Sequence, residues 1–308
     1  MALDSRQQPK LTQDGSAPVR WSTILERILG PFRRVEPPAP RPEMGFYTDT
    51  TVCIGCKACE VACKQWNLLP ADEFRWSGRS YDNTETLSAT SWRHVKFIEQ
   101  FPPDGSSRHV TLETRLDGAG AGRWLMMSDV CKHCVAAPCE HACPTGAIIY
   151  NEFGNVYIQP DICNGCAYCI AACPFGVITR SEIDGHTHKC TLCYDRQRDG
   201  LVPACAKACP TASIQFGPVA ELRERARRRV AELHARGVAE AYLYGDVPTA
   251  SYSALNSFYL LVDRPATYGL PEPPVNPWLH MRGDYVRALA GALLAIAGFL
   301  AILFVGGH

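Results

Sequence analysis

Sixteen cysteines, all lying between Cys53 and Cys209, form a recurring pattern in this 308-residue chain. They fall into four blocks. The first is Cys53, Cys56, Cys59 and Cys63, spaced C-x2-C-x2-C-x3-C within CIGCKACEVACKQWN. The second, Cys131, Cys134, Cys139 and Cys143, stretches the middle gap to four residues. The third, Cys163, Cys166, Cys169 and Cys173, repeats the first spacing. The fourth, Cys190, Cys193, Cys205 and Cys209, has a middle gap of eleven. Proline follows Cys143, Cys173 and Cys209, whereas Lys64 follows Cys63.

Thiols at this density serve disulfides or soft metals. A chain this long can bury a core without bridges, and disulfide scaffolds are short, so metal is the reading. Zinc uses C-x2-C pairs well separated in sequence. A third cysteine two residues on, followed by repeated Cys-Pro, does not fit it. C-x2-C-x2-C-x3-C-P instead holds [4Fe–4S] clusters in bacterial-type ferredoxins, where the fourth cysteine ligates the other cluster of a pair. Sixteen thiols make four cubanes with none left over. Blocks two and three are joined by a short segment and are expected to exchange fourth ligands, leaving blocks one and four to pair around them. The expected sets are Cys53, Cys56, Cys59 with Cys209; Cys190, Cys193, Cys205 with Cys63; Cys131, Cys134, Cys139 with Cys173; and Cys163, Cys166, Cys169 with Cys143.

His133, inside the second block, is then a neighbour of a cluster or a surface residue rather than a ligand. Lys57, Lys64, Lys132, Lys189 and Lys207 lie within or beside the blocks. They either offset the charge of about −2 on each oxidised cubane or are ordinary solvated lysines. With a cysteine on every iron, one-electron transfer is the chemistry that remains. No glycine-rich dinucleotide fingerprint, P-loop or clustered acid–base pair accompanies the cysteines. No catalytic residue is expected, and by itself the chain reads as a non-catalytic relay.

The elements that position these thiols should be α+β: two bacterial-ferredoxin-like units, each a pseudo-twofold cluster pair, with a β insert and one C-terminal transmembrane helix. Residues 144–159 read as a strand, a turn at Asn151-Glu152-Phe153-Gly154 and an alternating strand. Residues 210–217 repeat the opening of that pattern. Short helices carry the fourth cysteines, with Ala171, Ala172, Ala206 and Ala208 permitting close approach. The expected organisation is a Pro-rich extension at 1–45; an outer unit from 46–75 and 181–217; an insert at 76–126; and an inner unit at 127–180. A charged helix and partner-contacting extension at 218–280 and an anchor at 281–308 complete it. Strand-like stretches in and around the insert are Arg93–Glu99, His109–Thr114 and Arg123–Met127, separated by turn-forming sequence. Residues 194–204 read as a polar, basic loop. The helix at 218–236 carries Arg223, Arg225, Arg227, Arg228 and Arg229, a solvated face or a partner contact. Near the N-terminus, Trp21, Ile24, Leu25, Ile28 and Leu29 make the stripe of a short helix, too short to be stable alone and so expected to dock on another surface.

Formal charge balances at 31 basic and 31 acidic residues, so no bulk charge points to nucleic acid. Met1 to Arg20 has no apolar signal region, and Arg33-Arg34 lacks the apolar stretch of an export signal. Ala288–Gly307 is twenty residues without a charge, about 30 Å as a helix, which predicts a single membrane span. Arg282 and Arg287 precede it; on charge alone they would leave the body cytoplasmic.

The chain resembles the β (iron–sulfur) subunit of membrane-bound respiratory formate dehydrogenases from about Val52 onward. The resemblance rests on CIGCKAC with VAC and Trp66-Asn67, Ser91-Trp92, CKHC-x4-C-x3-CP and CNGCAYCIAACPF. KCTLC with PAC-x3-CPT and Asp263-Arg264-Pro265 leading to Tyr268-Gly269-Leu270-Pro271 add to it, as does the terminal anchor. The blocks alone are shared with electron-transfer subunits of dimethyl sulfoxide reductase, nitrate reductase and some nickel–iron hydrogenases. The first 45 residues depart from the family. The resemblance implies a catalytic subunit with a molybdenum or tungsten pyranopterin centre, a b-type cytochrome in the membrane, and quinone beyond it. It also implies export of the body to the periplasmic face with a partner's signal. In this family the first block lacks Cys-Pro; Lys64 would let the helix run on to Trp66, placed to cover a cluster. Rival expectations are the same relay serving another membrane oxidoreductase, or a stand-alone polyferredoxin.

Overall fold

Met44–Asp49 (β1) is buried along nearly its whole length, on both faces, as befits an interior strand. The computed structural model describes residues 41–71, 76–78, 81–100, 123–249 and 251–305. These lie in Pro40–His308, the second of two units into which the chain divides. The Trp21–Leu29 stripe and the strand expected at His109–Thr114 fall outside the described residues.

β1 sits inside a four-stranded sheet. On one side it pairs antiparallel with Ile214–Pro218 (β8), Phe46 facing Phe216. On the other it runs parallel to Ser257–Leu261 (β10), Tyr47 facing Phe258. Tyr242–Tyr244 (β9) closes the edge against β10, giving the order β8-β1-β10-β9. The 218–280 segment, expected to face partners, thus supplies two strands of the sheet that carries the first cysteine block. Tyr47 and Phe258 stack with ring centroids 5.5 Å apart. Gly45 lies so close to β10 that a Cβ would sit 1.9 Å from the Asn256 carbonyl oxygen.

The charged segment forms the helix Val219–Ala235 (α6). Val219, Leu222, Ala226 and Leu233 are its buried stripe, at helical spacing, and pack towards the sheet. Most of its arginines are tied within the chain. Arg229 donates to Asp49 at 3.0 Å, Arg228 to Glu224 at 2.6 Å and Arg225 to Gln215 at 2.8 Å. Arg227 lies 3.8 Å from Asp246.

The cysteine segments hang from this sheet on short elements. The helix Ala58–Trp66 (α1) carries Cys59 and Cys63. In the insert, Arg93–Gln100 (β2) and Arg123–Val130 (β3) form an antiparallel ribbon, a little longer than expected. The hairpin read between blocks two and three is present as Ile148–Tyr150 (β4) and Val156–Ile158 (β5), with a turn at residues 151–155. The helices Pro138–His141 (α2), Tyr168–Ala172 (α3) and Ala204–Lys207 (α5) each end within two residues of a Cys-Pro pair. Thr179–Arg180 (β6) and Thr187–His188 (β7) form a minimal ribbon before block four. The 194–204 stretch is not wholly a loop, because Tyr194–Arg198 (α4) opens it.

The last helix, Pro277–Val305 (α7), has 29 residues, and over 283–299 its side chains are exposed. Among the described residues no helix is long and apolar enough to cross a membrane. The span expected at Ala288–Gly307 runs past the described residues, which end at Val305.

Candidate iron–sulfur centres

Each block turns on a residue in the left-handed region just before its second cysteine: Gly55 (φ 67°), His133 (φ 43°), Gly165 (φ 70°) and Leu192 (φ 57°). That turn folds the first two thiols of each block toward one point. Glycine enters it freely, whereas a Cβ there costs roughly 1–2 kcal/mol. His133 and Leu192 are held in it by complete burial. Beyond the fourth cysteines a second device repeats. Gly146, Gly176 and Ala212 donate back to the carbonyls of Cys143, Cys173 and Cys209 across the intervening proline. Block one lacks this turn and continues as helix, Asn67 N–H bonding to the Cys63 carbonyl at 3.1 Å.

The folded chain brings thiols from different blocks together. Cys131, Cys134 and Cys139 line one cavity with Cys173. Cys53, Cys56 and Cys59 line another with Cys209. Cys163, Cys166 and Cys169 line a third with Cys143. Cys63 is buried where the neighbouring thiols are Cys190, Cys205 and Cys193. Among the described residues, no three His, Cys, Asp or Glu side chains close around a single ion. Four thiols lining one cavity match a cubane, which offers its irons at separate corners.

Burial sets the state of these thiols. It pushes Cys59 and Cys193 up to about 11 and Cys134 up to about 12, and raises Cys63, Cys139 and Cys190 as well. Free of iron they are protonated near neutrality, and their charge is stable only as iron thiolate. Cys163 differs. Its burial is slight, and hydrogen bonds from Thr187 outweigh it, bringing the thiol down to about 7. Tyr252 donates to Cys134 Sγ at 2.9 Å, and Ser128 Oγ lies 3.3 Å from Cys59 Sγ.

The quartets form a row. Cys205 bears on Cys59, linking the Cys53 quartet to the Cys190 quartet. Cys131 bears on Cys190, linking that one to the Cys131 quartet. Cys143 and Cys173, the fourth cysteines of blocks two and three, flank helices α2 and α3, which pack together and join the Cys131 and Cys163 quartets. The two exposed cysteines are Cys56 and Cys166, one in each terminal quartet.

The five lysines divide. Lys132 and Lys189 are fully buried. The Lys132 ammonium pairs with Asp129, donates to the Val130 carbonyl at 2.7 Å and sits over the Tyr259 ring. Lys189 donates to the carbonyls of Val156 and Cys190. Lys57 reaches Glu60 at 3.6 Å, Lys64 bonds to carbonyls, and Lys207 is exposed. His133 is not a surface residue; it is wholly buried with neither ring nitrogen hydrogen-bonded, and burial holds it well below the ordinary histidine range. Trp66 is 43% exposed, donates to Asp195 at 2.7 Å and stacks under Arg196, so it braces the outside of block four. Arg93 was not singled out by the sequence, being thirty residues from the nearest cysteine block, yet it lies buried among the thiols of Cys59, Cys190 and Cys205.

Known proteins place this arrangement. A 4Fe-4S dicluster domain matches residues 52–147, and another matches residues 122–219. The nitrate-inducible formate dehydrogenase iron-sulfur subunit of Escherichia coli is 40% identical over 265 residues, 84% of this chain and 81% of the relative. The formate dehydrogenase iron-sulfur subunit of Haemophilus influenzae is 38% identical over 86% of this chain and 81% of its own length. The B subunit of the anaerobic dimethyl sulfoxide reductase of Escherichia coli is 34% identical over a shorter match, 59% of this chain. Four thiol quartets, two dicluster domains and relatives matched along most of their length lead to one conclusion: the chain belongs to the formate dehydrogenase iron–sulfur subunits and holds four [4Fe–4S] clusters.

Proposed function

We propose that this chain relays single electrons from a formate-oxidising catalytic subunit, with a molybdenum or tungsten pyranopterin centre, to a membrane b-type cytochrome and quinone. Formate oxidised to carbon dioxide releases a proton and two electrons, which the relay accepts one at a time. When bound, each [4Fe–4S] cluster supplies reversible one-electron chemistry and no bond-making site. The protein's part is to hold four centres in a row, keep water from the inner two and leave the terminal two near its surface. The ligand sets are the four quartets: Cys53, Cys56, Cys59, Cys209; Cys63, Cys190, Cys193, Cys205; Cys131, Cys134, Cys139, Cys173; and Cys143, Cys163, Cys166, Cys169. The carrying observation is the unbroken row with its exposed thiols, Cys56 and Cys166, in the end quartets.

Helix α7 anchors the complex in the bilayer beside the cytochrome. What supports this is its length of 29 residues and the uncharged run from Ala288. The cluster-bearing body faces the periplasm, the cytoplasm being the alternative. A second reading, the same relay in a dimethyl sulfoxide reductase-type complex, is favoured by the 34% identical reductase subunit. The purified complex should reduce quinone with formate and contain molybdenum or tungsten, haem and about sixteen irons per relay subunit. Dimethyl sulfoxide reduction without formate oxidation would establish the second reading instead. Expressed without the cytochrome, the chain should still sediment with membranes and lose this on removal of residues 277–308; a soluble full-length chain would exclude the anchor.

A further inference from the structure

Among negatively charged centres in a dry interior, the positions of fixed cations matter most. Arg93 is at the start of β2 and 2% exposed. One guanidinium nitrogen donates to Ser128 Oγ at 3.0 Å, and that hydroxyl lies 3.3 Å from Cys59 Sγ. The Phe46 ring lies 4.8 Å from the guanidinium carbon. Arg93 Nε and Nη2 are buried without any hydrogen-bond partner. Two orphaned donors on a buried cation are costly unless an acceptor group stands before them. The thiols bearing on this guanidinium are Cys205, Cys59 and Cys190, from the first two quartets of the row. Lys189 stands at the next boundary, 2% exposed, its ammonium donating to the Cys190 carbonyl at 3.2 Å and to that of Val156, which lines the Cys131 cavity. Cys131, Cys139 and Cys190 bear on it from the second and third quartets.

We propose that Arg93 and Lys189 are electrostatic positioning residues for electron transfer, one buried cation at each of two successive junctions between thiol quartets. Arg93 serves the junction of the Cys59 and Cys205 quartets, and Lys189 that of the Cys190 and Cys131 quartets. Each cation stabilises the added electron on the centres flanking it, raising both potentials and easing repulsion between neighbouring reduced centres. The two residues thereby smooth the middle of the relay without ligating iron or contacting substrate. The proposal rests on the quartet ligand sets, which iron content and the number of paramagnetic centres report independently.

The test is an EPR-monitored redox titration of the purified complex carrying Arg93→Gln, Arg93→Lys, Lys189→Gln or Lys189→Arg. With about sixteen irons retained, Arg93→Gln should lower the potentials of two centres, those of the Cys53 and Cys190 quartets. At fixed ambient potential their reduced-to-oxidised ratio should fall about tenfold, which is about 59 mV for one electron. Lys189→Gln should lower the Cys190 and Cys131 centres, so the two variants share one affected centre. The charge-conserving variants should stay near wild type. Unchanged potentials in both glutamine variants at full iron content would overturn the proposal. So would loss of iron in both, which would make the cations folding requirements. Fewer than four centres in the wild-type complex would refute the ligand sets rather than the cations' role.

Discussion

At Lys64 the backbone N–H continues helix α1, and the ammonium donates to the carbonyls of Pro70 at 3.1 Å and Thr90 at 2.9 Å. Proline here would remove the helical bond and clash with the preceding turn, at about 3 kcal/mol or more. Lys64→Pro should lower the denaturant midpoint accordingly and break the Trp66–Asp195 brace, read by Trp fluorescence. A wild-type midpoint would show that the helix end does not matter. Ligand exchange has its own signature. Cys209→Ser should alter the EPR signal of the centre held by Cys53, Cys56 and Cys59, more than 140 residues away, and spare the Cys190 quartet. An effect confined to the latter would refute the exchange. The four blocks of thiols were legible because spacing encodes them. The left-handed turns were legible only at Gly55 and Gly165, since nothing in the types of His133 or Leu192 announces that conformation. Arg93 was invisible, because its role depends on how the ribbon folds back over the thiols.

Between elements, close approach is the controlling feature. A methyl on Gly45 would drive β1 off the Asn256 carbonyl, which also accepts from Phe46 N–H at 2.8 Å. Gly45→Ala should therefore destabilise the protein by about 1–3 kcal/mol, measured by chemical denaturation, with iron loss at lower temperature. The ribbon is fastened differently. His94 Nε2 lies 2.8 Å from Asp82. Burial pushes the Asp82 carboxyl up, but its bonds with His94 and Glu85 N–H outweigh that and lower it overall. A depressed carboxyl contributes stability that is complete above the unfolded value of about 3.9. That contribution is lost as pH falls through the lowered folded value. Asp82→Asn should flatten this acid limb in thermal melts below about pH 4; an unchanged slope would assign the limb elsewhere. The β4–β5 hairpin could be read from sequence because its turn residues and alternation are local. The sheet could not: β1 and β10 are parallel neighbours separated by about two hundred residues, and both are buried too evenly to alternate.

For the molecule as a whole, the buried thiols make iron part of the fold. Stripping it by chelation under reducing conditions would leave neutral thiols lining several cavities and remove the links between distant blocks. The iron-free chain should melt well below the intact one and lose cooperativity, followed by circular dichroism; equal melting would mean that the protein core suffices alone. The sheet order also sets a timetable for synthesis. β1 leads directly into the first cysteine segment, yet its neighbours are β8 and β10, completed only at Pro218 and Leu261. A growing polypeptide can therefore close the β4–β5 hairpin early, while Cys53, Cys56 and Cys59 wait, unframed and open to oxygen, until Leu261 has been added. Loading of that centre must follow the synthesis of β10, and the cell has to shield those thiols across about two hundred residues of elongation.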